Sequence, residues 1–199
     1  MATVVLFHSA IGLNDGIHAM AQVLSDAGHR VHTPDYYDGH VFDATSDGIR
    51  YRDEVGFPTL AKRASAAIEG LPGPLVFGGF SLGAAMAQSM GKRDPRAAGS
   101  LLFHAGGVAQ KTSWNSSVPL QIHHSQGDPW IEAGHPEKLV ASVAEAGAPA
   151  SLFVYPGSGH LFADPTHAEY EPQLAELMWS RVLSFLEHEA TRPQASPDA

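Results

Sequence analysis

Cysteine is missing from all 199 residues, which rules out disulfides, thiolate metal ligands and a thiol nucleophile together. Positive charge is scarce: 12 Lys and Arg stand against 21 Asp and Glu, for a formal net charge of −9. With no basic stripe to neutralise a phosphate backbone, nucleic acid is not expected as a partner. Long apolar runs are also lacking. The opening Val4-Val5-Leu6-Phe7 has no basic leader and is too short for a secretory core, and nothing approaches membrane-spanning length. The expectation is a cytoplasmic protein with no membrane partner.

What remains suits one globular domain. The apolar fraction is 44%, the charged fraction only 17%, and 20 Gly with 14 Pro mark frequent turns, which together exclude a disordered chain. Residues 1–188 read as a single domain, and 189–199, rich in Pro, Ser and Ala, as a frayed tail. Short β-branched or apolar runs at Thr3–His8, Arg30–Thr33, Leu75–Phe80, Gly99–Phe103, Leu120–His124 and Leu152–Tyr155 read as strands. Between them lie helical patterns: Ile17, Met20, Ala21 and Leu24 behind a cap at Asn14 or Asp15, then residues 58–69, Leu82–Met90 and Pro136–Ala146. A last amphipathic helix carries Leu174, Leu177, Met178, Val182 and Phe185. Such alternation predicts an α/β fold: a mostly parallel sheet of about six strands with helices on both faces. Ligands bind such sheets beyond the carboxyl ends of the strands, so functional residues should follow strand ends.

Gly79-Phe80-Ser81-Leu82-Gly83 satisfies that filter. It fits G-x-S-x-G, in which a strained strand-to-helix turn lifts a serine above the sheet and the glycines let the backbone pass. The pattern alone is only a Gly-rich turn; its position between an apolar strand and a small-residue helix makes Ser81 the candidate nucleophile. A serine hydroxyl needs a base, and the base needs a carboxylate to fix its tautomer. In folds with this elbow the chain order is Ser, acid, His. Of 12 histidines, His160 alone follows a strand through a flexible loop, Pro156-Gly157-Ser158-Gly159. His29, His32, His123 and His124 lie in or beside strands, where packing or exposure is their expected role. Asp128, in the turn after Leu120–His124, is the expected acid. Its rival Asp164 reads instead as a cap for the last helix with Pro165 at the first position, and Glu132 and Asp94 as surface charges. The oxyanion needs two backbone donors, assigned to the amide of Leu82 and to that of Ala10, with Ile11 as the alternative.

These stretches resemble the dienelactone hydrolase family of α/β-hydrolases. The likeness spans nearly the whole chain and is carried by His8-Ser9-Ala10-Ile11-Gly12-Leu13-Asn14, Pro34-Asp35-Tyr36-Tyr37, the Gly79–Gly83 elbow, Gly127-Asp128, Gly159-His160-Leu161-Phe162 and a closing helix with Trp179 and Phe185-Leu186. It implies a compact hydrolase without a cap domain and without the antiparallel strands that often precede the oxyanion loop, and it carries the triad onto Ser81, Asp128 and His160. Three positions depart from the family prototype. Ser81 replaces the elbow cysteine, Ser9 replaces the glutamate that interacts with it, and Asp164 falls near an arginine that helps hold the dienelactone carboxylate. The departures imply a serine acyl-enzyme and argue against dienelactone itself as substrate.

Residues 36–57 read as a long connection that could wall a pocket or merely pack on the sheet. Tyr36, Tyr51 and Arg52 from it, with Ser9, Trp130 and Leu161, are the expected substrate-binding residues, and His104 at a strand end could approach the same cleft. His123, His124 and His135 are close in sequence, but neighbours on a strand point to opposite faces, so no metal or other cofactor is expected. The expected activity is hydrolysis of a small carboxylic ester or lactone. A thioesterase or amidase would use the same triad, and a non-catalytic small-molecule binder would not need it filled. The sequence leaves the oligomeric state open.

Overall fold

The computed structural model describes residues 1–105, 114–188 and 190. Six strands form one sheet: β1 (Thr3–Phe7), β2 (Arg30–His32), β3 (Leu75–Phe80), β4 (Ala97–Phe103), β5 (Leu120–Ser125) and β6 (Ala150–Tyr155). Their spatial order is β2-β1-β3-β4-β5-β6, and every neighbouring pair is parallel. The chain first winds outward from β1 to β2, then returns past β1 to build the rest of the sheet. The reversal leaves a crevice at the carboxyl ends of β1 and β3, the switch point where such sheets hold ligands.

Parallel strands need crossovers, and the helices that supply them are α1 (Asp15–Asp26), α2 (Thr45–Val55), α3 (Phe57–Ala67), α4 (Leu82–Arg93), α5 (His135–Glu145) and α6 (Pro172–His188). The period-two alternation of each strand splits the core into two layers. Val4, Leu6, Val76, Leu101 and Phe103 face α1 and α6, against Ile17, Met20, Met178, Val182 and Phe185. Val5, Phe7, Phe77, Leu102 and Ile122 face the other way, onto Leu60, Ala64, Met86, Ala87, Leu139 and Val143 of α3, α4 and α5. Asn14 caps α1 as the sequence suggests, its side-chain oxygen accepting from the Ile17 amide at 3.1 Å.

Four expectations need correction. The 36–57 connection is not one long loop, because Thr45–Val55 forms α2 and α3 begins at Phe57. Asp164 does not cap the last helix, which starts only at Pro172; its Oδ1 instead accepts from the Thr166 amide and hydroxyl at 2.8 and 2.7 Å. Asp94 is no simple surface charge: its side chain is 10% exposed and receives Nε and Nη2 of Arg96 at 2.9 and 2.6 Å. Within the expected tail, Ala190 is buried and donates its amide to the Phe185 carbonyl at 3.1 Å. The other tail residues lie outside the described part of the chain.

Candidate active site

Three side chains from three different strand ends meet above the crevice. Ser81 follows β3, Asp128 follows β5 and His160 follows β6. His160 Nε2 lies 2.8 Å from Ser81 Oγ, and His160 Nδ1 lies 2.8 Å from Asp128 Oδ2. An ionised carboxylate only accepts, so Nδ1 carries the proton and Nε2 is left as the acceptor for the serine hydroxyl. Asp128 is buried and takes a second hydrogen bond at Oδ1, from the Trp130 amide at 2.9 Å. The glycine-rich approach to His160 is pinned: Gly127 donates to the Gly157 carbonyl at 2.8 Å, Gln126 to that of Tyr155 at 2.7 Å, and Ser125 Oγ to that of Gly159 at 2.8 Å. The acid and histidine loops are thereby tied to each other, and the left-handed Gly157 at φ 97° makes the turn that a side chain would strain.

The elbow explains its own residue types. Ser81 sits at φ 53° and ψ −111°, a strained conformation for a non-glycine residue. Its amide is anchored to the Phe103 carbonyl at 2.8 Å. A Cβ at Gly79 would strike the Gly83 carbonyl, and one at Gly83 would strike those of Phe7 and His8, so both glycines are needed for the first turn of α4 to sit against β1. That contact carries the start of α4 to the loop after β1. The Leu82 amide, in the first turn of α4, has no intrahelical acceptor. In the facing loop the Ile11 amide is engaged by Ser9 Oγ at 3.3 Å, whereas the Ala10 amide has no partner among the described residues.

The other expected residues divide. Trp130 is 57% exposed with its ring 5.8 Å from that of His160, so it offers open apolar surface beside that histidine. Leu161 is buried, its amide tied to Glu169 Oε2 at 2.9 Å, and Ser9 is buried within the loop. Tyr36 has no exposed surface: its ring stacks on His8 at 3.8 Å and its hydroxyl donates to the His8 carbonyl at 2.6 Å, so it supports the loop from behind. Tyr51 joins a cluster with Tyr37, His40 and Phe42, and Arg52 is spent on Asp53 at 2.7 Å. Among the described residues no group of three His, Cys, Asp or Glu could hold a metal ion. His123 has both ring nitrogens engaged, by Tyr155 Oη and Gln121 Oε1 at 2.8 Å each.

Two histidines carry more than the sequence suggested. His104, at φ 54°, is fully buried, lies 6.3 Å from the His160 ring and has no hydrogen-bond partner for either ring nitrogen among the described residues. Burial, with His160 adding to it, drives its pKa well below the ordinary imidazole value. His8 lies wholly buried at the root of the loop after β1, with Nε2 3.8 Å from Asp35 Oδ1. The only hint in the sequence was a histidine directly after the first strand.

A parallel sheet in this order, with a serine elbow after β3 and the acid and histidine after β5 and β6, defines an α/β-hydrolase. The dienelactone hydrolase family model matches residues 1–190, and the chain belongs to that family. A putative carboxymethylenebutenolidase from Azospirillum brasilense is 36% identical over 67 residues, a stretch covering 34% of this chain and 29% of that protein. Solved structures agree on the fold. A dienelactone hydrolase-like promiscuous phosphotriesterase from metagenomic libraries superposes with a TM-score of 0.79 at 20% identity, over 95% of this chain and 87% of that one. A putative dienelactone hydrolase from Klebsiella pneumoniae gives 0.74 at 16%, over 94% and 87%. A thermophilic esterase from Thermogutta terrifontis gives 0.66 at 15%, over 98% and 86%. No helix among the described residues is long and apolar enough to cross a membrane.

Proposed function

We propose that this chain hydrolyses a small carboxylic ester or lactone through an acyl-enzyme on Ser81. The observation that carries the reading is the continuous hydrogen-bond line Ser81 Oγ, His160, Asp128, with both links at 2.8 Å. His160 Nε2 takes the hydroxyl proton as Ser81 Oγ attacks the acyl carbon, and Asp128 stabilises the resulting imidazolium. The tetrahedral oxygen turns towards the amides of Ala10 and Leu82. Its collapse expels the alkoxide, which leaves with the proton held on Nε2; in a lactone the alcohol stays tethered to the acyl group. Water then gives a proton to Nε2 and attacks the acyl carbon. The second tetrahedral intermediate returns the proton to Ser81 Oγ and releases the acid.

Trp130 is the apolar surface against which the substrate rests, because it is the large exposed side chain next to the base. A matched panel of esters, lactones, thioesters and amides tests the reading. Esters or lactones should turn over fastest, and Ser81→Ala should abolish turnover. Retained ester hydrolysis in that variant, or a preference for thioester or amide, would sink the assignment.

A further inference from the structure

A planar trans peptide points its C=O and its N–H in opposite directions, so whatever fixes the carbonyl also aims the amide. The Ala10 amide shares its peptide plane with the Ser9 carbonyl. That carbonyl accepts two hydrogen bonds, from the Gly12 amide at 3.2 Å and from His8 Nδ1 at 2.7 Å. Since a carbonyl oxygen only accepts, Nδ1 of His8 carries the proton. We propose that His8 is a positioning residue that aims the Ala10 amide at the oxyanion by holding the Ser9 carbonyl from the opposite side.

The inference rests on the reading of Ser81 as nucleophile and Ala10 as oxyanion donor. His8 is itself held by ring packing, while its Nε2 has no hydrogen-bond partner among the described residues. Its ring stacks on Tyr36 at 3.8 Å and meets the edge of Tyr37 at 4.9 Å, and its own carbonyl receives the Tyr36 hydroxyl at 2.6 Å. Nε2 stands 3.8 Å from Asp35 Oδ1, while Asp35 is fixed by the amides of Tyr37 and Gly39 at 2.8 and 2.6 Å. The ring is wholly buried, so no water competes for the Ser9 carbonyl from that side. A donor on that carbonyl also polarises the peptide and strengthens the Ala10 N–H towards a developing negative charge. Ser9 Oγ meanwhile occupies the Ile11 amide at 3.3 Å, leaving Ala10 as the amide for which this alignment matters.

Asparagine places its amide nitrogen close to where histidine places Nδ1; phenylalanine and leucine place no donor there. His8→Phe, or His8→Leu if the larger ring destabilises the chain, should lower kcat by roughly 10- to 100-fold with KM little changed, as expected for a weakened oxyanion donor. The affinity of a boronic acid, whose Ser81 adduct presents a tetrahedral oxygen, should fall by the same factor, whereas a non-reactive amide analogue should bind as before. His8→Asn should recover most of the loss. Unchanged kcat in the apolar variants, or an Asn variant as slow as they are, would overturn the role of His8. Fluorophosphonate labelling of wild-type Ser81 separates the two readings: labelling with His8 indifferent removes only this inference, and no labelling removes both.

Discussion

Asp128 does two jobs with two oxygens: Oδ2 holds His160 Nδ1–H at 2.8 Å while Oδ1 takes the Trp130 amide. Asparagine is the same size but can turn a donor towards Nδ1, which would push the ring proton to Nε2 and leave Ser81 facing N–H rather than a lone pair. Asp128→Asn should therefore fold normally and lose about 10³- to 10⁴-fold in kcat, measured by steady-state ester hydrolysis; a loss under tenfold would mean that the tautomer argument is wrong. That Ser81, Asp128 and His160 follow strand ends was readable in the sequence, because each comes after a strand through a turn, a local signal. The partners of His8 and His104 were not, since Asp35 and Phe162 reach these rings only after the sheet brings different strand ends together. Tyr36 shows the opposite failure: an aromatic near a site attracts a binding role, yet this one has no exposed surface and its hydroxyl is used on a backbone carbonyl.

Helix α2 is the element that sequence patterning missed. Its residues, Thr-Ser-Asp-Gly-Ile-Arg-Tyr-Arg-Asp-Glu-Val, hold few apolar positions, and Gly48 alone is fully buried, so no apolar stripe marks it. The reason for Gly48 is contact. A Cβ there would run into the Ala10 carbonyl, so the helix lies directly on the loop after β1. In an exposed helix Gly→Ala would gain about 1 kcal/mol from propensity. Here Gly48→Ala should lower both the melting temperature and kcat, because helix and loop must separate. An unchanged kcat together with a raised melting temperature would show that the contact is slack. The strands, by contrast, were placed to within two residues at each end, because most are apolar runs between turn signals.

Across the whole molecule, titration is shaped most by two fully buried histidines, His104 and His123. Burial holds His123 down at about 3 and His104 well below the ordinary imidazole value, while the unfolded chain titrates near 6.5. The unfolded state thus binds more protons as pH falls below 6.5, so stability drops with acid, for His123 until about pH 3. Each group contributes a slope of about 1.4 kcal/mol per pH unit well inside that window. Asp35 acts lower: its depressed pKa adds stability that is complete above the ordinary carboxylate value and lost as pH falls towards about 2. Urea titrations at pH 7.5, 6.0 and 5.0 should show the midpoint falling at each step, and a flat profile would contradict the burial of these rings. Overall topology was legible in the alternation of elements, but the packing that neutralises His104 and His123 was not. The sequence offers twelve histidines and singles out His160, but only the fold shows which of the others are buried.

The most direct test is to trap the intermediate. Wild-type protein mixed with an activated ester and quenched within the first turnovers should gain the mass of one acyl group, located by peptide mapping to Ser81, and the adduct should persist longer when His160 is replaced by alanine and the protein is acylated more slowly. Rapid ester turnover with Ser81 never acylated would contradict the account.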